Sequence, residues 1–213
     1  KPHGFRRCGA RVRRFRSGSG VRYSGPAMRS RSLQPWRTDR QTQLDQIAHA
    51  HARGGGTGPG RRYATQQVNY AYVMLLASQF QGFCRDLHSE AADVIARAVQ
   101  PITLQPLVKQ RLTAGRQLDS GNAQPGSIGS DFGRFFATKF WDEVDALHAR
   151  HAQRRADLAS MNEWRNAIAH QDFGPVGTNS LQLTRVRRWR TNCNALATAF
   201  DEVLSRRLRA LPW

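Results

Sequence analysis

The chain has 213 residues, 39% of them hydrophobic, which is enough apolar material for one folded domain with an extension. Its formal net charge of +18 indicates a polyanionic partner, and nucleic acid is favoured over a membrane surface. The three cysteines stand far apart, which argues against a disulfide framework or a zinc site and favours a reducing, cytoplasmic location. No apolar run reaches about 18 residues, so we predict no membrane-spanning segment.

The positive charge is concentrated in the first part of the chain. Residues 1–60 hold thirteen Lys and Arg against two Asp, a net charge of +11, which leaves +7 for residues 61–213. Residues 1–36 are rich in Arg, Gly and Ser and have no periodicity, so they are predicted to be disordered or draped over a partner. An RNA-binding arm and a solvated tail are both compatible with this composition.

A short helix is expected near residues 38–52, where Thr38 and Gln41 form a capping-box pattern before apolar residues at helical spacing. The stretch GGGTGPG at 54–60 reads as a flexible joint. We therefore place a domain boundary there, between a basic N-terminal extension (1–60) and a helical domain (61–213).

Apolar residues recur at steps of three and four through most of residues 61–213, and this predicts an all-α bundle of four to five helices. The predicted segments are a long helix over 65–99 ended by Pro101, a helix over 106–118, a loop over 119–130, a helical region from Asp131 and a last helix over 179–210. Cys84 and Cys193 are predicted to be core residues, and His88 is predicted to lie on the surface.

The most informative stretch is ADLASMNEWRNAIAHQDF, residues 156–173. It predicts a helix with an apolar stripe that ends in the polar residues Arg165, Asn166 and His170. The pattern Arg-Asn-x-x-x-His resembles the signature of the HEPN superfamily, all-helical domains of which many are metal-independent ribonucleases. The long flanking helices are similar to the HEPN plan over about residues 61–213, whereas the basic N-terminal part is not covered.

Each of the three polar residues suits one task in metal-independent RNA cleavage. Histidine, with an ordinary pKa of about 6.5, can act as acid or base near neutrality. Arg165 offers a planar fork of donors that can bind phosphate and stabilise the transition state, and Asn166 would orient the histidine or a phosphate oxygen. The expected products carry a 2′,3′-cyclic phosphate and a 5′-hydroxyl, and neither a metal nor a cofactor is predicted.

The spacing of these residues does not close a site on one straight helix. Arg165 and His170 are separated by about 140° around an ideal helix, whereas Asn166 and His170 share a face. Either the helix ends before His170 and turns it back, or a second chain completes the cluster. The resemblance implies the second answer, because HEPN domains dimerise with their motifs facing each other.

The resemblance also implies a biological setting. Stand-alone prokaryotic HEPN proteins act as toxins or defence effectors, so an antitoxin or other regulatory partner fits this class. HEPN toxins that are adenylylated by a nucleotidyltransferase often carry a tyrosine two residues after the histidine. Asp172 stands there, which argues against that form of control.

Two groups of arginines are candidates for RNA-backbone contacts: Arg154 and Arg155 before the motif, and Arg185, Arg187, Arg188 and Arg190 at the start of the last helix. A charged exterior accounts for them equally well. The function predicted from these observations is a metal-independent endoribonuclease of HEPN type. The alternatives are a non-catalytic RNA- or nucleotide-binding module that grips phosphate with the same residues, and a scaffolding protein.

Overall fold

The computed structural model describes residues 29–53, 61–135 and 139–211, and these form helices without any strand. The predicted all-α class is confirmed, although the described helices are more numerous than the four to five expected. Two short 3₁₀ helices, Ile102–Leu104 and Gly174–Val176, complete the following set: α1 (Leu33–Arg37), α2 (Asp39–Arg53), α3 (Arg61–Ala98), α4 (Gln105–Thr113), α5 (Gln117–Ser120), α6 (Pro125–Gly133), α7 (Phe140–Leu147), α8 (His151–His170) and α9 (Leu183–Ala210).

Helix α3 lies at the centre of the bundle and packs against α2, α4, α8 and α9. Its buried face includes Leu76, Phe80 and Phe83, which recur at helical spacing and meet aromatic rings from both ends of the chain. The ring centroid of Phe80 lies 5.5 Å from that of Trp36 and 6.1 Å from that of Phe200. Within the described ranges, no helix is both long and apolar enough to cross a lipid bilayer.

Part of the predicted N-terminal extension belongs to this same core. Leu33, Trp36 and Leu44 are buried in the hydrophobic cluster that α3 and α9 also form. The backbone N–H of Ser30 donates to Asp201 at 2.8 Å, which ties the start of the described chain to α9. The expected disorder is therefore wrong for residues 29–36, while residues 1–28 and the predicted joint at 54–60 lie outside the described residues.

The region between residues 105 and 133 folds differently from the prediction. The helix expected over 106–118 is divided into α4 and α5 at Gly115, whose φ of 61° is a left-handed conformation that glycine adopts without strain. The loop expected over 119–130 contains the first turns of α6. The buried carboxylate of Asp131 accepts hydrogen bonds from the backbone N–H groups of Gln117 at 2.9 Å and Leu118 at 2.8 Å, which fixes the start of α5 on α6.

His88 is buried in this region, so its predicted place on the surface is wrong. Its Nε2 lies 3.2 Å from the carbonyl oxygen of Asp131, and its Nδ1 lies 3.5 Å from Nη1 of Arg116. A carbonyl can only accept and a guanidinium can only donate, so Nε2 carries the proton of a neutral ring. Burial, reinforced by the charge of Arg116, lowers the pKa of His88 to about 4.

Candidate functional site

The polar residues of the motif lie in the last turns of α8, whose other side is held by the buried side chains of Leu158, Met161 and Trp164. His170 is the last helical residue. Gln171 follows in the left-handed conformation (φ 55°), and the backbone N–H of Asp172 donates to the carbonyl oxygen of Ala167 at 3.0 Å, the pattern of a Schellman C-cap. The chain therefore turns only after His170, which excludes the alternative in which the helix ends earlier and turns His170 back.

The segment after α8 is attached to α3. The ring of Phe173 stacks on that of Tyr70, with centroids 5.5 Å apart. The side-chain amide of the neighbouring Asn69 donates to the carbonyl oxygen of Leu181 at 2.7 Å, two residues before α9. The end of α8 and the start of α9 consequently meet at one point of α3.

Arg165 and Asn166 are in direct contact, and a residue outside the motif joins them. The Oδ1 atom of Asn166 accepts a hydrogen bond from Nη1 of Arg165 at 3.2 Å and another from Nδ2 of Asn122 at 2.6 Å. Because a guanidinium can only donate, the oxygen of the Asn166 amide must face Arg165. The amide nitrogen of Asn166 then points away from both neighbours as a donor. Arg165 and Asn166 together present N–H groups suited to a phosphate.

Asn122 lies in the segment between α5 and α6, which several side chains hold in place. Asn162 donates to the carbonyl oxygen of Ala123 at 3.1 Å, and Gln81 of α3 donates to that of Gly121 at 2.6 Å. Asn162, Asn166 and His170 stand four residues apart on α8, so they form one row along the helix. The sequence analysis did not identify Asn122 as a site residue. The spacing of Asn162, Asn166 and His170 does predict that this face of α8 meets polar partners.

His170 is exposed at the end of that row. Among the described residues, no hydrogen bond joins it to Arg165 or Asn166. One copy of the chain thus presents Asn166 and His170 on one face of α8, whereas Arg165 projects about 140° away from His170. No group of three His, Cys, Asp or Glu side chains within the described ranges is placed to hold a metal ion.

Of the four predicted RNA-binding arginines on α9, Arg188 and Arg190 make ion pairs with other helices of the fold. Arg190 lies 2.7 Å from Asp45 and donates to the hydroxyl of Tyr72 at 3.1 Å, and its side chain is only 18% exposed. Arg190 therefore attaches α2 to α9. Arg188 lies 3.3 Å from Asp157, but its side chain remains 61% exposed and accessible to a second anion.

The other four arginines occupy two places on the surface. Arg185 and Arg187 are exposed in the first turns of α9, at the point of α3 where α8 also ends. Arg154 is half-buried beside His151, whereas Arg155 lies 3.1 Å from Asp145 with its guanidinium 5.4 Å from the ring centroid of Trp141. The predicted RNA-contacting set is thus divided between the two ends of α8.

Comparison of the chain with protein-family models, with curated proteins and with solved structures finds no match. The resemblance to HEPN domains accordingly rests on residues 165–170 and on their position at the end of a long helix.

Proposed function

We propose that the protein is a metal-independent endoribonuclease in which Arg165, Asn166 and His170 act on the scissile phosphate. The observation that carries the proposal is the contact between Arg165 and Asn166. Their shared oxygen leaves the guanidinium edge and the amide nitrogen as neighbouring donors, with a solvent-accessible histidine one turn further along the helix.

The reaction proposed for these groups is an internal transesterification that releases the strand with the 5′-hydroxyl. A base removes the proton of the ribose 2′-hydroxyl, the 2′-oxygen attacks phosphorus, and the bond from phosphorus to the 5′-oxygen breaks as an acid protonates that oxygen. His170 serves in proton transfer. Arg165 and the amide nitrogen of Asn166 stabilise the negative charge that develops on the phosphoryl oxygens. The products are a 2′,3′-cyclic phosphate and a 5′-hydroxyl.

We further propose that two copies of the chain form the site. His170 and Arg165 project about 140° apart on α8, and the helix does not turn between them. A twofold arrangement that faces the two α8 ends toward each other supplies each Arg165 with the partner's histidine. Arg185 and Arg187 at the same end of the bundle would then guide the RNA backbone toward the site.

The first experiment is incubation of the purified protein with total RNA in EDTA, followed by analysis of the fragment ends. We expect the wild type to release fragments with cyclic phosphate ends, and His170→Ala to leave the RNA intact while still binding it. His49→Ala is a matched control, because His49 is also an exposed helical histidine but lies on α2. Intact RNA with the wild type would overturn the catalytic proposal.

A mixing experiment tests the composite site. Arg165→Ala and His170→Ala are each expected to be inactive alone. In an equal mixture that exchanges subunits, half of the dimers would pair the intact arginine of one copy with the intact histidine of the other, which restores about a quarter of the wild-type rate. If each copy uses only its own residues, mixing restores nothing.

The second candidate function is a non-catalytic RNA-binding module. The observation in its favour is that His170 is exposed and has no bond to Arg165 or Asn166. In that function the same donors grip phosphate and the histidine has no proton to transfer. Wild-type protein that binds RNA in EDTA, leaves it intact, and loses affinity in Arg165→Ala would establish this reading.

A further inference from the structure

A surface cleft of about 380 Å³ lies beside the first turns of α8, away from Arg165, Asn166 and His170 in its last turns. Its lining includes Pro125, Gly126 and Gly129 of α6, Lys139 and Trp141 from the start of α7, and Arg155 of α8. The volume lies within the range of pockets that bind small organic ligands.

The charges in the cleft favour a ligand that combines an anion with hydrogen-bonding groups. Arg155 is fixed in place by its ion pair with Asp145 and by the ring of Trp141, so its guanidinium is ordered before any ligand arrives. Lys139 is exposed and adds a second positive charge. Asp142, which also lines the cleft, offers acceptors for a hydroxyl or an amino group.

Two glycines of α6, Gly126 and Gly129, line the cleft and differ in the space beside them. A Cβ atom added at Gly126 would meet no heavy atom within 4 Å, so this position faces empty space. At Gly129 a Cβ would come within 2.9 Å of Trp141, whose ring forms the neighbouring wall. The hydrogen bond from Trp141 Nε1 to the carbonyl oxygen of Pro125, at 2.7 Å, keeps this wall in position.

The cleft lies on the same face of α8 as Asn166. Residues 155 and 166 are separated by three helical turns, which places them within about 20° of each other and about 16 Å apart along the axis. The chain from Asn122 to Gly129 runs along this face. It contacts Asn166 and Asn162 first, through Asn122 and Ala123, and then reaches the cleft beside Arg155. That segment covers α8 between the two places, where Asn162 is buried, so a strand bound at both would pass over the segment.

We propose that the cleft binds a single nucleotide of an RNA strand, a few residues away from the phosphate held by Arg165 and Asn166. This inference rests on the proposed function, since it takes the motif as the place where the strand is gripped. Lys139 and Arg155 contact the phosphate, Asp142 accepts from the ribose or the base, and the space beside Gly126 admits the ring. The cleft thereby gives the protein a second fixed point on its substrate.

The test places a larger side chain in the cleft and removes no side-chain contact. Gly126→Leu and the control Gly133→Leu are both placed in the His170→Ala background, so that RNA remains intact during the measurement. Gly133 lies at the other end of α6, outside the cleft, and a Cβ there also meets nothing within 4 Å. Both substitutions favour the helix, so both variants are expected to fold.

We expect Gly126→Leu to weaken the binding of a labelled RNA of about ten nucleotides by roughly tenfold in fluorescence anisotropy, because one ordered nucleotide loses its pocket. Gly133→Leu should bind as His170→Ala does. Equal affinity of the two leucine variants overturns the cleft assignment. That result leaves cleavage by the wild type untouched, whereas an inactive wild type with a strong Gly126→Leu effect would instead overturn only the nuclease proposal.

Two further measurements identify what the cleft recognises. Lys139→Gln should reduce the slope of log affinity against log salt by about 0.7, the loss of one contact to a single-strand phosphate. A nucleoside 5′-monophosphate should compete with the labelled RNA at lower concentration than inorganic phosphate. An unchanged slope, or equal competition by phosphate alone, contradicts a nucleotide site.

Discussion

The polar side chains around His88 and those around His170 differ in burial and in hydrogen bonding. His88 is buried, and its two ring nitrogens have partners in different parts of the chain, Arg116 between α4 and α5 and Asp131 of α6. Its ring also packs against aromatic neighbours, with the centroid of Phe135 at 4.5 Å. The cluster at the end of α8 leaves His170 exposed, and the amide nitrogen of Asn166 points away from its neighbours.

The difference separates polar residues that hold the fold together from polar residues that are available for chemistry. A buried histidine with both ring nitrogens engaged has a proton that cannot be exchanged easily with a substrate. An exposed histidine such as His170 contributes little to packing and can reach a ligand. The two clusters should therefore respond oppositely to mutation: one through stability, the other through activity.

The largest expected effect is on RNA cleavage. His170→Ala should lower the rate by about 10²- to 10⁴-fold, the usual contribution of a positioned acid or base, with a melting temperature unchanged from that of the wild type. His88→Gln should lower the melting temperature and leave the cleavage rate of the folded protein unchanged. Single-turnover rates and thermal melts of both variants check this, and an active His170→Ala would remove the distinction between the clusters.

The next effect is on stability. Asp131→Ala removes a fully buried carboxylate that accepts two backbone N–H groups of α5 and lies 3.5 Å from Arg134. The free energy of unfolding should fall by about 2–4 kcal/mol, because the N–H of Leu118 is left buried, and that of Gln117 part-buried, without an acceptor. Urea unfolding measures it. The control Asp172→Ala removes an exposed carboxylate that accepts one N–H, from Gly174, and should cost under about 1 kcal/mol.

The same contrast explains which parts of the structure could be predicted. The helical period gave the long helices and the buried faces of α3, α8 and α9, because packing against one core imposes that period. Cys84 and Cys193 are buried as expected. The placement of His88 was wrong, because its burial depends on Arg116 and Asp131, partners that lie 28 and 43 residues further along the chain.

The candidate site was only partly visible in the sequence for a related reason. The spacing of Arg165, Asn166 and His170 is a local property of one helix. The contact of Asn166 with Asn122 bridges 44 residues, and it depends on a glycine-assisted break between α4 and α5 that redirects the chain. The N-terminal prediction failed at residues 29–36 because two apolar side chains, Leu33 and Trp36, outweigh the polar composition around them once α3 and α9 provide a groove.

A third prediction concerns pH. Burial lowers the pKa of His88 to about 4 in the folded chain, below the ordinary value of about 6.5 that applies when unfolded. Between these values the unfolded chain binds more protons, so stability is fully present above pH 6.5 and is lost as the pH falls toward 4. Urea unfolding of the wild type should lose about 2 kcal/mol between pH 7 and pH 5.

The control for the pH effect is His88→Gln, which lacks the titrating ring. Its unfolding free energy should change much less over the same interval. A small dependence is expected to remain, because burial also lowers the pKa of His151. An equally steep loss in His88→Gln would show that another group carries the pH dependence.

The smallest effect is also the most direct test of how the site is arranged. Asn122→Ala removes one of two donors to Oδ1 of Asn166 and should cost about 1 kcal/mol of stability. Asn122→Asp should have a similar effect on stability but reduce RNA cleavage further. A carboxylate at this position cannot donate to Oδ1, so it favours the reversed Asn166 amide and competes for Arg165. If both variants cleave RNA at the wild-type rate, the orientation of Asn166 has no part in the reaction, and Arg165 alone must bind the phosphate.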